Sequence, residues 1–286
     1  MSSPSHTGRR AAAASGGHDI ELVPGRRELD PARANRLDKR WVTALAVLVP
    51  VLLVSFWQVA ATARWIGVRF LPAPAQILAD WRGLLDSGDY ATHLGASAQR
   101  IALGYALGAA AGVLAGLLIG RARLVRKALE PTIVALYTVP KLAILPLLLL
   151  ILGIGEASKL TLIAVTVFFI VLINTNGALE AVPTSHIEAG RSFGLDRIDM
   201  VRHIVLPAAS PQIFVGLRIA AGMAVLALVG AEFVAAESGL GYLIWNSWNL
   251  GIPSYMYIGI VTISVLGVLA NALLRLAQRV CLPWDR

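Results

Sequence analysis

Lys141 and Glu232 are the ionisable residues best placed to do chemistry in the apolar parts of this chain. A charge set in such a run is costly, so it lines a polar path or finds an opposite charge. Lys141 follows Pro140, whose ring and missing N–H open a helix and bare backbone groups. Two readings stand for it: contact with an anionic solute at that break, or a structural ion pair with Glu232. Asn174 and Asn176 would line the same path or hydrogen-bond between helices, of which packing is the simpler reading. Arg218 is expected to snorkel toward the nearer surface. Catalysis is poorly served. No apolar run holds a Ser with a His or two carboxylates, all five histidines lie outside the runs, and Cys281 is the single cysteine, which excludes an internal disulfide and a cysteine metal cluster. With Glu232 the one carboxylate deep in a run, a proton-coupled carrier is also disfavoured.

The elements that must position these residues follow from composition. The 286 residues are 57% hydrophobic and 15% charged, against roughly 25% charged in soluble domains. Six apolar stretches, near 42–61, 97–119, 133–153, 160–180, 212–236 and 255–279, each suffice to cross about 30 Å of hydrocarbon. The pattern predicts an all-α, polytopic membrane helix bundle. The first run is too long, and its leader too extended, for a signal peptide. Residues 1–40, opening "MSSPSHTGRRAAAASGGHD", have no apolar period and read as a disordered cytoplasmic tail ahead of a membrane domain over 41–286.

The net charge of +8 could suggest nucleic acid, but its distribution argues topology instead. With six spans, eighteen Lys and Arg fall on the side holding both termini and four on the other. The positive-inside rule places both termini in the cytoplasm, with anionic lipid head groups as secondary contacts and no nucleic-acid partner.

Gly104, Gly108, Gly112, Gly116 and Gly120 recur every fourth residue in "GYALGAAAGVLAGLLIG". Such a stripe brings another helix backbone to close range, either as internal packing or as a surface that slides. On the opposite side of the membrane, "RFLPAPAQILADWRGLL" places Ile77, Leu78, Trp81, Leu84 and Leu85 on one helical face, the pattern of an interfacial helix. Tyr242, Trp245 and Trp248 in "GLGYLIWNSWN" read as an aromatic belt or the lip of a solute entry.

Between the fourth and fifth runs the chain turns polar, over residues 184–207. Ser185 and Glu188 have capping-box spacing, Gly194 can end a first helix in left-handed conformation, and Asp196 can cap a second that runs to a break at Pro207. The result is a helix–glycine–helix elbow. Ala189 and Gly190 leave it small-faced, and Ile187, Phe193 and Leu195 supply apolar knobs. A short helix transmits displacement as a rigid body where a floppy loop would absorb it.

Glu188, Ala189, Gly194, Ile204, Leu206 and Pro207 fit E-A-A-x-x-x-G-x9-I-x-L-P, with Gly190 for the third small residue. In this the chain resembles the permease subunits of bacterial ATP-binding-cassette (ABC) importers. "LPAPAQIL", "VPKLAILPLLLLILGIGEASK", "GLGYLI" and the terminal "LPW" look like the nitrate, sulfonate and taurine branch, so the resemblance spans residues 71–284. Two departures concern the substrate: Leu152 precedes Gly153 where that branch commonly has an aromatic residue, and Asn271 stands where an aspartate is usual. The resemblance implies a type I ABC importer transmembrane domain in the bacterial inner membrane. It implies two permease subunits, expected as a homodimer, and an extracytoplasmic solute-binding protein. Two ATPase chains would bind ATP and Mg and dock on the elbow. The chain itself lacks G-x-x-x-x-G-K-[ST], so no cofactor is expected on it. Sulfonate, taurine or nitrate is the implied cargo; an osmolyte, amino acid or heterocycle is the alternative.

Overall fold

The computed structural model describes residues 31–65, 67, 70–120 and 123–284. The expected tail lies outside them up to residue 30, and from Pro31 the chain is helical. Every regular element among the described residues is a helix: α1 Pro31–Thr62, α2 Pro74–Asp86, α3 Asp89–Gly120, α4 Arg123–Thr138, a short 3-10 turn Lys141–Ile144, α5 Leu145–Leu152, α6 Glu156–Glu180, α7 Thr184–Ser192, α8 Arg197–Met200, a π turn Val201–Val205, α9 Leu206–Ala235, α10 Leu240–Leu250 and α11 Pro253–Cys281. The chain divides into two units, at Met1–Phe56 and Trp57–Arg286. In the first, the apolar side chains of α1 stand exposed, Val42 at 67% and Leu53 at 64%. A bilayer covers such a surface.

Among the described residues five helices are long and apolar enough to cross a membrane. A further pair, Leu124–Thr138 and Lys141–Leu152, is long and apolar enough only when taken together and meets at 81°, the shape of a broken crossing or a re-entrant turn. The bend falls where the sequence places a helix break within the run 133–153, and Pro140 supplies the cause. It sits in extended conformation, has no N–H to give, and leaves the last carbonyls of α4 without helical donors.

In the second unit α6 lies between α3 and α9. Ile163, Val167, Ile170 and Val171 meet Ala220, Ala224, Ala227 and Leu228 in the largest buried cluster. The glycine stripe of α3 faces α6. A β-carbon added at Gly104 would sit 2.8 Å from Ile163 Cβ, one at Gly112 2.8 Å from the Phe168 carbonyl, and one at Gly116 2.6 Å from Thr175 Cβ. Gly108 and Gly120 meet the Ala164 carbonyl and Leu179 more closely still. Of the two readings, internal packing holds, and it identifies the partner as α6. Close approach of this kind trades side-chain bulk for van der Waals contact along the backbone, the main attraction left when lipid is the solvent.

The face predicted for α2 is only half used as expected. Ile77, Trp81 and Leu84 pack on Tyr90, Leu243, Tyr255 and Ile258, while Leu78 and Leu85 remain exposed. Thus α2 is anchored to α10 and α11 as well as presenting an apolar edge.

Candidate functional site

The elbow forms as a compact unit. The first limb, α7, begins after Pro183, and no side chain caps it; the capping box expected from Ser185 and Glu188 does not form, because the helix starts at Thr184, two residues before the expected His186, and takes Ser185 into its first turn. Its other end matches expectation. Gly194 has φ +74°, its N–H reaches the Arg191 carbonyl, and Leu195 N–H donates to the Gly190 carbonyl at 3.1 Å. These bonds satisfy the orphan carbonyls of the last turn. Asp196 then caps α8, accepting from Ile198 N at 2.9 Å and Asp199 N at 2.7 Å.

Pro207 does not break the second limb. Helical backbone continues from Arg197 to Ala235, and it widens to the π turn Val201–Val205 just ahead of the proline, whose missing N–H a regular α-helical ladder would need. The elbow is therefore the bent end of a membrane-spanning rod. Gly190 lets the limbs close: a β-carbon there would sit 2.8 Å from Met200 Sδ and 3.0 Å from Ile204 Cδ1. Ile187 faces inward, against Ala178, Val182, Ala209 and Ile213, which corrects its reading as a docking knob. Leu195 is half-buried and Leu206 is at the edge of exposure. Phe193 is 85% and Ile198 74% exposed, leaving two apolar side chains at the tip, with Glu188 and Ala189 exposed beside them. Sequence reasoning missed Ile198; an apolar residue two places after an N-cap aspartate was the available signal.

The intramembrane charges are arranged otherwise than expected. Lys141 does not pair with Glu232. Its Nζ donates to the carbonyls of Leu136 at 2.9 Å, Tyr137 at 2.8 Å and Val139 at 2.8 Å, and lies 5.1 Å from the Phe169 ring centroid. An ammonium has three protons, and all three serve the carbonyls bared at Pro140. Glu232 is fully buried, so it does not line a solute path. Asn174 donates to the Ile170 carbonyl and packs on Gly216, an interhelical role.

Glu232 pairs with Arg100, which lies on α3 inside the second apolar run and was passed over in the sequence because the glycine stripe dominated that segment. Arg100 Nη1 meets Glu232 Oε1 at 2.7 Å and the Ser238 carbonyl at 2.6 Å; its Nε and Nη2 each meet Glu156 at 2.7 Å; Nη2 also reaches Ser238 Oγ at 3.3 Å. All five guanidinium protons have acceptors. Lys159 Nζ joins Glu156 at 2.8 Å. Two cations and two carboxylates make the cluster neutral, the condition under which buried charge is tolerated. Ser97 Oγ and the Gly241 N–H complete the shell of Glu232 at 2.8 and 2.7 Å. The segment "SGLGYL" now has a physical reason: Gly239 (φ +121°) and Gly241 lie so near the Glu232 side chain that a β-carbon at either would strike it.

A bent helix pair, a polar elbow continuous with one long apolar helix, and an apolar tip on that elbow describe a multi-pass membrane subunit with a structured polar projection. The chain belongs to the binding-protein-dependent transport system inner membrane component family, whose pattern matches residues 108–280. It is 36% identical to the putative aliphatic sulfonates transport permease protein SsuC of Escherichia coli (strain K12), over 86% of this chain and 94% of that one. Likeness to the taurine transport system permease protein TauC of the same strain is 33%, over 88% and 94%. With the nitrate import permease protein NrtB of Synechococcus elongatus it is 32%, over 77% and 84%. In fold it resembles an inward-facing MetNI methionine ABC transporter, with TM-score 0.52 at 16% identity, covering 64% of this chain and 93% of that one. The chain is therefore a multi-pass permease subunit of an ABC importer, a transport component and not an enzyme, with the ATPase on a separate subunit.

Proposed function

We propose that this permease carries a small anionic solute of the aliphatic sulfonate, taurine or nitrate kind into the cytoplasm, and that ATP-driven closure of the partner ATPases pushes the elbow at Glu188–Gly194. The observation that carries the coupling reading is the continuity of α8, the π turn and α9, which makes the exposed Phe193 tip the end of a lever through the membrane. The names of the relatives support the cargo. ATP and Mg belong to the ATPase chains, which dock on the elbow, and an extracytoplasmic solute-binding protein delivers the solute. The permease acts as a homodimer with both termini cytoplasmic, in keeping with the basic excess on that side, and residues 41–286 form its transmembrane domain.

The permease does not select its cargo by a free charge at Arg100 or Lys141, because every donor of both is taken by protein acceptors. Selection then belongs to the binding protein. The test is affinity of that protein for a panel of aliphatic sulfonates, taurine, nitrate, a zwitterionic osmolyte and a heterocycle, followed by uptake of each into vesicles holding the full complex. Binding and ATP-dependent uptake confined to the anions and taurine are expected; tight binding of the osmolyte or heterocycle alone would overturn the cargo.

A further inference from the structure

The rod that begins at the elbow ends at the charge cluster. From Leu206 to Glu232 the helix rises roughly 39 Å at about 1.5 Å per residue, so the two features lie at opposite ends of one element. Along the way α9 meets α6 through small residues: Ala220, Ala224 and Ala227 pack in the core, and Gly216 accommodates Asn174. That face sets alanines and a glycine of α9 against Ile163, Val167, Ile170, Val171 and Asn174 of α6, an apolar contact with no charge in it. Glu232 is different. It is fully buried, and through Ser97 and Arg100 it is joined to α3, through Arg100 and Glu156 to α6, and through its own acceptance from Gly241 N–H to the first turn of α10. Ser97 Oγ also accepts from Leu240 N–H at 2.7 Å, and His93 Nδ1 accepts from Gly239 N–H at 3.1 Å, so the whole turn before α10 is held by side chains of α3.

We infer that Glu232 is a positioning residue for transport: it pins the far end of the α9 rod to α3, α6 and the turn that starts α10, so that a push at the elbow moves that end of the bundle as one body. The inference rests on the proposed coupling through the elbow. A buried ion pair is weak as a source of stability, since apolar or neutral replacements often serve as well. It is strong as a constraint on relative position, because a shift that separates Arg100 from Glu232 leaves a fully buried carboxylate without its counter-ion, while Arg100 keeps Glu156. Apolar packing holds α9 against α6 without a directional bond, and the ion pair at its end supplies one.

The test uses the assembled complex of permease, ATPase and binding protein, with Cys281→Ser removing the native thiol. An environment-sensitive fluorophore is placed at Phe193→Cys, on the elbow, or at Trp248→Cys, which is 60% exposed on α10. In the native background both labels respond to ATP. In Arg100→Met/Glu232→Gln, which keeps the cluster neutral and leaves acceptors for Ser97 and Gly241, the elbow label still responds while the α10 response falls at least fivefold. Ser97→Ala, which keeps both charges, gives an intermediate loss and decides the matter if the double variant fails to assemble. An undiminished α10 response in either variant, or no α10 response in the native background, overturns the role of Glu232. A silent elbow label in the native background sinks instead the coupling reading on which it rests.

Discussion

Gly190 and Gly194 sit four residues apart and serve different ends. Gly194 needs its left-handed backbone, which costs other residues about 1–2 kcal/mol and β-branched ones more. Gly194→Val is expected to distort the elbow and abolish ATP-dependent uptake while the protein still inserts, as checked by vesicle uptake and membrane fractionation. Gly190→Ala meets only the flexible end of Met200 and Ile204, so the same assay should give near-native uptake, since methionine repacks easily. For Lys141, removal by Lys141→Met leaves three carbonyls at the apolar break without donors, which is costly where hydrocarbon stands in place of water. The expected result is a lowered unfolding temperature of the purified complex, well beyond any change in solute preference. At this scale the sequence showed which residues were exceptional but not their partners. Gly194 and Asp196 were legible because turn and cap chemistry is local; the pairing of Arg100 with Glu232 spans 132 positions and depends on helix order that no local pattern records.

The helices were legible wherever one physical rule dominated. Apolar length located the crossings, and four-residue glycine spacing marked α3 as a close-packed helix before its partner α6 was known. What local rules mishandled was continuity. Pro140 opens its span as expected, whereas Pro207, expected to end a helix, sits within a continuous rod whose backbone widens to a π turn just before it, although the residue type is the same. Packing along α3 gives a direct test. Gly112→Leu would drive a side chain into the Phe168 carbonyl and Val171, whereas Gly177, with nothing within 4 Å of an added β-carbon, has room for Ala. Gly112→Leu is expected to lower the yield of folded protein several-fold, and Gly177→Ala to leave it unchanged, by size-exclusion chromatography in detergent.

At the scale of the whole molecule, charge asymmetry and fold address different questions. The family and the helical fold establish a multi-pass importer subunit; the distribution of Lys and Arg is the ground for the proposed orientation with both termini cytoplasmic. Cys281, the only cysteine and exposed at the end of α11, makes a native reporter of that orientation. A membrane-impermeant maleimide should label it in inside-out vesicles and not in right-side-out ones. The mechanical account joins a polar elbow on the cytoplasmic side, a rod through the bilayer and a pinned cluster at the far end. Its central claim is that the tip of the elbow is where work enters. The most direct measurement is disulfide or bifunctional cross-linking from Phe193→Cys, in a Cys281→Ser background, within the assembled complex. The account predicts a cross-link to the ATPase subunit whose yield changes with ATP. Labelling of the same cysteine from outside intact cells, with no cross-link to the ATPase, would contradict it.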